Sequence, residues 1–238
     1  DSSTRPADSA GRRAADDNPF DPWTPATPPR FCGREKLLRA LQNALERGGS
    51  VSLLGDARIG KSSLLYTWAL RARANGRLVA IASGEGPEAQ SCSALVRALT
   101  GVDGAAASPD EAADQLAAWA GAAAGGLPLL LIVDEAEAVL KHLPHRFFER
   151  LRGMLGRLCL LLATRHEIGE IGRDDGLTSP LLNRLQVQRV GLLEDAGVGD
   201  LIARGGGVLT PDDAATLRVA SGRTGGGRRN GAASQRRR

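Results

Sequence analysis

The sequence predicts a three-layer αβα domain built on a parallel sheet, and three observations carry that prediction. Apolar runs of strand length alternate with stretches of helical periodicity. The runs are apolar throughout instead of alternating, as in strands covered on both faces. The first of them leads straight into Gly55-Asp56-Ala57-Arg58-Ile59-Gly60-Lys61-Ser62, a glycine-rich loop that opens a helix.

Residues 1–30 are rich in Pro, Asp, Ser and Ala and have no apolar period, so they read as a disordered linker stiffened by Pro22, Pro25, Pro28 and Pro29. Leu37, Leu38, Leu41 and Leu45 fall at helical spacing over Glu35 to Arg47, and Gly48 and Gly49 end that helix. Val51 to Leu54 is the strand before the loop. A helix over Gly60 to Ala74 follows, with Leu64, Leu65 and Trp68 on one side. Arg77 to Ser83 reads as a strand, then Ser91 to Thr100 and Pro109 to Ala124 as helices, the second opened by a proline suited to a first turn. Pro128 to Val133 is a continuous apolar strand, Arg146 to Leu155 a helix, Leu158 to Ala163 a fourth strand and Leu185 to Val190 a weaker fifth. Glu194 to Arg204 and Pro211 to Ser221 read as helices beyond the sheet.

Composition narrows the function classes. An apolar fraction of 42% is enough for one sizeable core, but with aromatics at 3% that core is built of Leu, Val, Ile and Ala. No apolar run approaches a membrane span. The N-terminal stretch has no hydrophobic signal region, and Cys32, Cys92 and Cys159 are odd in number, far apart and without a C-x-x-C pair. A disulfide framework and a zinc site are therefore not expected, and a cytoplasmic protein is. The net charge of +4 belongs to the tail. Arg218 to Arg238 holds seven of the 31 basic residues and no acid, leaving 24 basic against 27 acidic residues elsewhere. Such a tail is a weak, sequence-indifferent binder of phosphate polymers at most. Because the chain begins at Asp1 and its only methionine is Met154, it reads as a fragment or trimmed product.

The glycine-rich loop is the strongest motif. Gly55 turns the chain out of the strand and Gly60 lets backbone approach a phosphate, so that loop N–H groups and the helix N-terminus face the anion. Residues Gly55 to Ser63 form the cradle: Lys61 reaches the β- and γ-phosphates and the Ser62 hydroxyl meets Mg²⁺. Arg58 lies at a variable position within it. The strand before Asp134 and Glu135 delivers two carboxylates to the sheet edge where ligands bind. Asp134 is placed to hold Mg²⁺ through water, and Glu135 to orient and deprotonate an attacking water. Thr164 and Arg165 end the fourth strand. If that strand neighbours the loop strand, they point at the γ-phosphate. His142, His145 and His166 lack a third ligand and read as surface residues, and Trp68 and Trp119 as core.

Phe31-Cys32-Gly33-Arg34-Glu35, then a helix, then Val51 to Gly55 into the loop, resembles the start of the STAND and origin-recognition-like ATPases of the AAA+ group. Asn18-Pro19-Phe20 resembles the lead-in of bacterial STAND proteins, and Thr164-Arg165 the Thr-Arg sensor of the NB-ARC branch. The resemblance covers roughly residues 18–221. It implies five parallel strands in the order 5-1-4-3-2, a helical lid, and adenine as the base; no Asn-Lys-x-Asp guanine-reading motif stands between Arg165 and Arg204. It also implies that Phe31, Cys32, Gly33 and Arg34 lie over the adenine. Leu37 departs from the family, where an acid is often found. After Ser221 to Gly226 an apolar lid helix is expected, but Gly227 to Arg238 has no large apolar residue, which reads as a lid cut short by a frameshift or mis-called end. The implied organisation is a linker over 1–30, an ATPase core over 31–191, a partial lid over 192–221 and a disordered tail over 222–238.

The function so implied is an ATP- and Mg²⁺-binding switch with slow hydrolysis, working as a homo-oligomer or beneath a fused upstream effector domain. Two alternatives stay open: an origin-recognition-like or transposition-associated ATPase acting on DNA, although nothing here reads as a DNA-binding domain, and a nucleotide-binding module without turnover. Arg150, Arg152 and Arg184 are equal candidates for an arginine finger acting in trans.

Overall fold

The computed structural model describes residues 21, 23–123, 127–171, 184–205 and 209–220. Asn18 to Phe20, the stretch Gly222 to Arg238 and most of the expected linker lie outside them. The chain divides into two units, one spanning Pro22–Gly191 and the other combining Asp1–Asp21 with Leu192–Arg238.

In the first unit, α1 (Glu35–Glu46) precedes β1 (Ser50–Leu54), α2 (Lys61–Ala74) and β2 (Val79–Ser83). A short 3₁₀ turn (Pro87–Gln90) leads to α3 (Cys92–Thr100) and α4 (Pro109–Ala123), followed by β3 (Leu129–Asp134), α5 (Glu137–His142) and α6 (His145–Gly153). The unit closes with β4 (Leu158–Thr164), α7 (Ile168–Ile171) and β5 (Leu185–Arg189). The strands form one sheet in the order β2-β3-β4-β1-β5, and every pairing is parallel. Read from its other edge this is the expected order, 5-1-4-3-2.

The continuous apolar strands follow from layering. On β3, Leu129, Leu131 and Val133 face the core beneath α3, α4 and α6, while Leu130 and Ile132 face the core beneath α1 and α2. On β4, Leu158, Leu160 and Leu162 divide from Cys159, Leu161 and Ala163 in the same way. Side chains alternate across a strand, so a strand buried on both faces has no polar positions left. Trp68 joins the second core and Trp119 packs against the first, as expected. Strand β5 is an edge with exposed Gln186, Val187 and Arg189, which is why its sequence signal is weaker.

Local chemistry sets the helix ends. The Ser91 hydroxyl accepts from the Ala94 N–H at 3.0 Å and starts α3 one residue later than the spacing suggested. Ser108 accepts from the Glu111 N–H at 3.1 Å, and the Glu111 carboxylate reaches back to the Ala107 N–H at 2.7 Å, a reciprocal cap for α4. Strand β2 starts at Val79, not Arg77, because the Arg77 N–H still bonds the Ala72 carbonyl at the end of α2. Two short helices, α5 and α7, were not legible. Each is too short to show a period. His142 ends α5 and His145 begins α6, so the two histidines flank a break between helices.

In the second unit, α8 (Asp195–Arg204) and α9 (Pro211–Ala220) are described. The Thr210 hydroxyl and the Asp213 carboxylate cap α9 reciprocally: the Asp213 N–H meets Thr210 Oγ1 at 3.2 Å, and the Thr210 N–H meets Asp213 Oδ2 at 3.0 Å. These bonds lower the Asp213 pKa from its ordinary value.

Gly84, just after β2, is required by close approach. A Cβ there would lie 2.0 Å from the Glu135 carbonyl oxygen, whereas one at Gly121 on α4 would meet nothing within 4 Å. Gly84→Ala is expected to destabilise by about 3 kcal/mol, at the upper end for overpacking. Gly121→Ala is expected to stabilise by about 0.5 kcal/mol through the helix preference for Ala. Urea unfolding of both variants checks this, and equal effects contradict the close approach.

Candidate functional site

Parallel strands all end on one side, so the register decides which residues share the carboxyl edge of the sheet. Ser83 stands level with Asp134, and Leu54 with both Thr164 and Arg189. Every motif residue after a strand is thus brought to one edge of the first unit.

The loop Gly55 to Gly60 leaves β1 there. A Cβ at Gly55 would lie 3.0 Å from both the Val190 carbonyl oxygen and the Ile59 side chain, so glycine is held there by close packing as well as by the turn. Gly60 takes φ +95°, which suits only glycine, and directly precedes α2. Lys61 is 4% exposed, and its Nζ donates to the carbonyls of Gly55 at 2.9 Å and Asp56 at 3.1 Å. An ammonium has three protons; two hold the loop closed, and the third suits an anion in the cradle. Ser62 follows at half-buried depth, and Ser63 Oγ accepts the Ala26 N–H at 2.9 Å. That bond ties the proline-rich lead-in to the loop, as does the Arg58 guanidinium, 5.1 Å from the Trp23 ring centre. Residues 23–30, which composition alone reads as free linker, are in part attached here.

The box ahead of α1 braces the loop. Gly33 and Arg34 both take left-handed φ, +68° and +63°, which turns the Arg34 side chain inward. Its Nη2 donates to the Ile59 carbonyl at 2.8 Å. Burial lowers the Arg34 pKa, slightly offset by Cys32, yet a guanidinium keeps its proton. Phe31 packs partly buried against the core under α1 and α2, and Cys32 is half-buried.

Asp134 is 7% exposed at the end of β3, and its Oδ1 accepts the Glu135 N–H at 3.0 Å. Burial, and to a smaller degree the Asp134 charge, raises the Tyr66 pKa. Glu135 takes φ +47°, uncommon for a residue with a side chain and a mark of local strain. Burial pushes its pKa up, aided by Asp134 and Glu137 and opposed by Lys61 and Arg165. Thr164 is fully buried, and its Oγ1 has no hydrogen-bond partner among the described residues. Arg165 directly follows Thr164 at the end of β4. Its N–H meets Glu137, its Nε donates to Glu135 Oε2 at 3.2 Å and its Nη2 to Glu85 Oε1 at 3.3 Å.

The expected site residues are therefore gathered on one edge. Glu85, Glu137, Gly84 and Tyr66 were not foreseen. Strand order alone signals the first three, since β2 beside β3 and β3 beside β4 bring the residues after each strand together. Of the finger candidates, Arg150 pairs with Asp110 and Asp114 on α4, while Arg152 and Arg184 are exposed. His166 is 70% exposed and 4.0 Å from Glu137. Among the described residues no cluster of three or more His, Cys, Asp or Glu side chains is arranged to hold a metal by itself. A magnesium ion needs only one or two protein groups, with phosphate and water completing its shell. Ser62 and the buried Asp134 are the donors that fit it. No helix among the described residues is long and apolar enough to cross a membrane.

The profile of the family described as Novel STAND NTPase 1 matches residues 19–204. No curated protein matches the chain. Among solved structures, the Walker-type ATPase PABY2304 of Pyrococcus abyssi superposes with a TM-score of 0.60 at 17% identity, covering 85% of this chain and 66% of that one. The Aquifex aeolicus DnaA bound to AMPPCP gives 0.55 at 18% identity, covering 80% and 59%. The Aeropyrum pernix ORC1 protein in complex with DNA gives 0.55 at 18% identity, covering 76% and 53%. The chain thus spans between about half and two-thirds of those proteins, and the likeness shows a shared fold.

A raised carboxylate pKa means that the fold disfavours the Glu135 charge. Between the ordinary value, about 4.3, and the raised one, the native state holds the proton more tightly, so stability falls as pH rises through that window and stays lower above it. Glu135→Gln removes the penalty. Its Tm is expected to exceed wild type at about pH 7, with the gap closing below about pH 4. A variant that melts lower than wild type at neutral pH contradicts this.

Proposed function

We propose that this chain, which belongs to the novel STAND NTPase 1 family, is an ATP-binding module whose slow, magnesium-dependent hydrolysis of ATP serves as a conformational switch. The observation that carries the reading is the convergence at one sheet edge of a buried Lys61 in a glycine loop with Asp134, Glu135 and Arg165. Family membership supports a nucleoside triphosphatase.

In this reading Lys61 neutralises the β- and γ-phosphates while the loop N–H groups and the start of α2 face them. Ser62 and Asp134 would hold Mg²⁺, which neutralises phosphate charge when bound. Glu135 takes a proton from the attacking water, and the phosphorus–oxygen bond to the leaving ADP breaks as the new one forms. A raised pKa makes Glu135 the stronger base at neutral pH. Arg165 turns to the γ-phosphate and stabilises its charge. Thr164 would position it from the buried end of β4. The presence of the γ-phosphate orders these groups and hydrolysis releases them, which is the physical basis of a switch. Adenine follows from the family resemblance, with Phe31 to Arg34 as its neighbours. A homo-oligomer or a fused effector would read the switch out.

One observation favours a module without turnover as a second reading: Glu135 Oε2 is engaged by the Arg165 guanidinium at 3.2 Å. Steady-state phosphate release by wild type and Glu135→Gln separates the two. The switch reading expects slow release by wild type, a drop of about 10²-fold or more in Glu135→Gln, and retained ATP binding displaced better by ATP than by GTP. Equal release by both proteins overturns turnover by Glu135, and equal competition by GTP overturns the choice of adenine.

A further inference from the structure

The end of β2 reaches the reaction side of the site. The Gly84 N–H donates to the Asp134 carbonyl at 2.7 Å, and the missing Cβ of Gly84 lets the turn press against the Glu135 carbonyl. The Glu85 N–H bonds the Ser83 hydroxyl at 3.2 Å, closing a tight turn. This turn sets the Glu85 carboxylate 3.3 Å from Arg165 Nη2, while Arg165 Nε is 3.2 Å from Glu135. One guanidinium therefore bridges carboxylates from the ends of β2 and β3.

Sheet order gives the bridge a direction. Arg165 follows β4, which stands between β3 and β1. The phosphate loop leaves β1, on one side of β4. Glu135 and Glu85 follow β3 and β2, on the other side. An Arg165 bonded to Glu135 and Glu85 is drawn away from the loop where a γ-phosphate would sit.

We propose that Glu85 is a positioning residue that competes with the γ-phosphate for Arg165 and so sets the preference of the site for ATP over ADP. The inference rests on the nucleotide-binding reading given above. ATP must draw Arg165 across β4 before the contact to its γ-phosphate forms. ADP makes no such demand and leaves the bridge standing. The pair is partly exposed, Glu85 at 66% and Arg165 at 44%, so its strength is that of a surface ion pair and its effect on affinity is about two- to fivefold.

The test is calorimetric titration of the full chain with AMP-PNP and with ADP, each with magnesium, on wild type, Glu85→Gln, Glu85→Asp, Arg165→Ala, the Glu85→Gln/Arg165→Ala double variant and Lys61→Ala. Glu85→Gln is expected to tighten AMP-PNP about two- to fivefold and leave ADP unchanged. Glu85→Asp, which keeps the charge, is expected to hold the wild-type ratio. In the Arg165→Ala background Glu85→Gln is expected to change nothing. The proposal is overturned if Glu85→Gln moves both ligands equally or neither, or if its effect survives the loss of Arg165; the bridge is then a surface contact only. If wild type binds neither ligand, or Lys61→Ala binds both as tightly as wild type, the nucleotide reading falls and this inference with it. If Lys61→Ala abolishes binding while Glu85→Gln leaves the ratio alone, only this inference falls.

Discussion

One buried ammonium holds the site in shape. Lys61 is nearly sealed from solvent, and its nearest hydrogen-bond acceptors are carbonyls of its own loop, at Gly55 and Asp56. A buried cation is tolerable only where oxygens surround it, so the loop must curl back on the lysine. That curl turns the loop N–H groups toward the space an anion would fill. The second brace comes from outside the loop: Arg34 bonds the Ile59 carbonyl, and Ser63 and Arg58 tether the lead-in. The box ahead of α1 thus has a structural task as well as the nucleotide contact its family likeness implies. The cradle is preorganised by charge on carbonyl, so it need not be assembled when a phosphate arrives.

Sheet order distributes the remaining tasks. Because β4 lies between β1 and β3, Arg165 stands between the loop and the carboxylates of Asp134 and Glu135. The strain is gathered here too. Arg34, Arg58 and Glu135 all take left-handed backbone conformations although none is glycine, and all three belong to the edge. A raised pKa at Glu135 is a second sign of the same trade, since a group suited to accept a proton is one the fold would rather keep neutral. The sheet beneath is apolar on both faces and rigid enough to impose these conformations.

Most of the fold was legible in the sequence because its strands are buried on both sides and its loop motif has a fixed mechanical context. Leu129 to Asp134 and Leu158 to Thr164 are unambiguous for that reason. The edge strand Leu185–Arg189 was weaker because only one flank is paired. The short helices after Asp134 and Thr164 were missed, being shorter than a period can reveal. At the candidate site, the placing of Gly55 to Ser63, Asp134, Glu135, Thr164 and Arg165 at one sheet edge was legible from motif and strand ends. Glu85 was not, because the residues Gly84-Glu85 after β2 carry no motif. Their place beside Glu135 exists only once β2 is known to pair with β3, a contact between positions 51 residues apart in sequence, as Ser83 and Asp134 are. Likewise the inward turn of Arg34 depends on its backbone conformation, which residue type does not announce.

Titration of the chain with ATP and magnesium, beside the same titration of Lys61→Ala with its fold verified by circular dichroism, bears most directly on the phosphate cradle. Binding by wild type that is lost in Lys61→Ala is the expected result, because removing the ammonium removes both the charge proposed to meet the phosphates and the clamp that shapes the loop. A folded wild-type chain that fails to bind, or a Lys61→Ala variant that binds as tightly as wild type, would contradict a nucleotide site at this edge of the sheet.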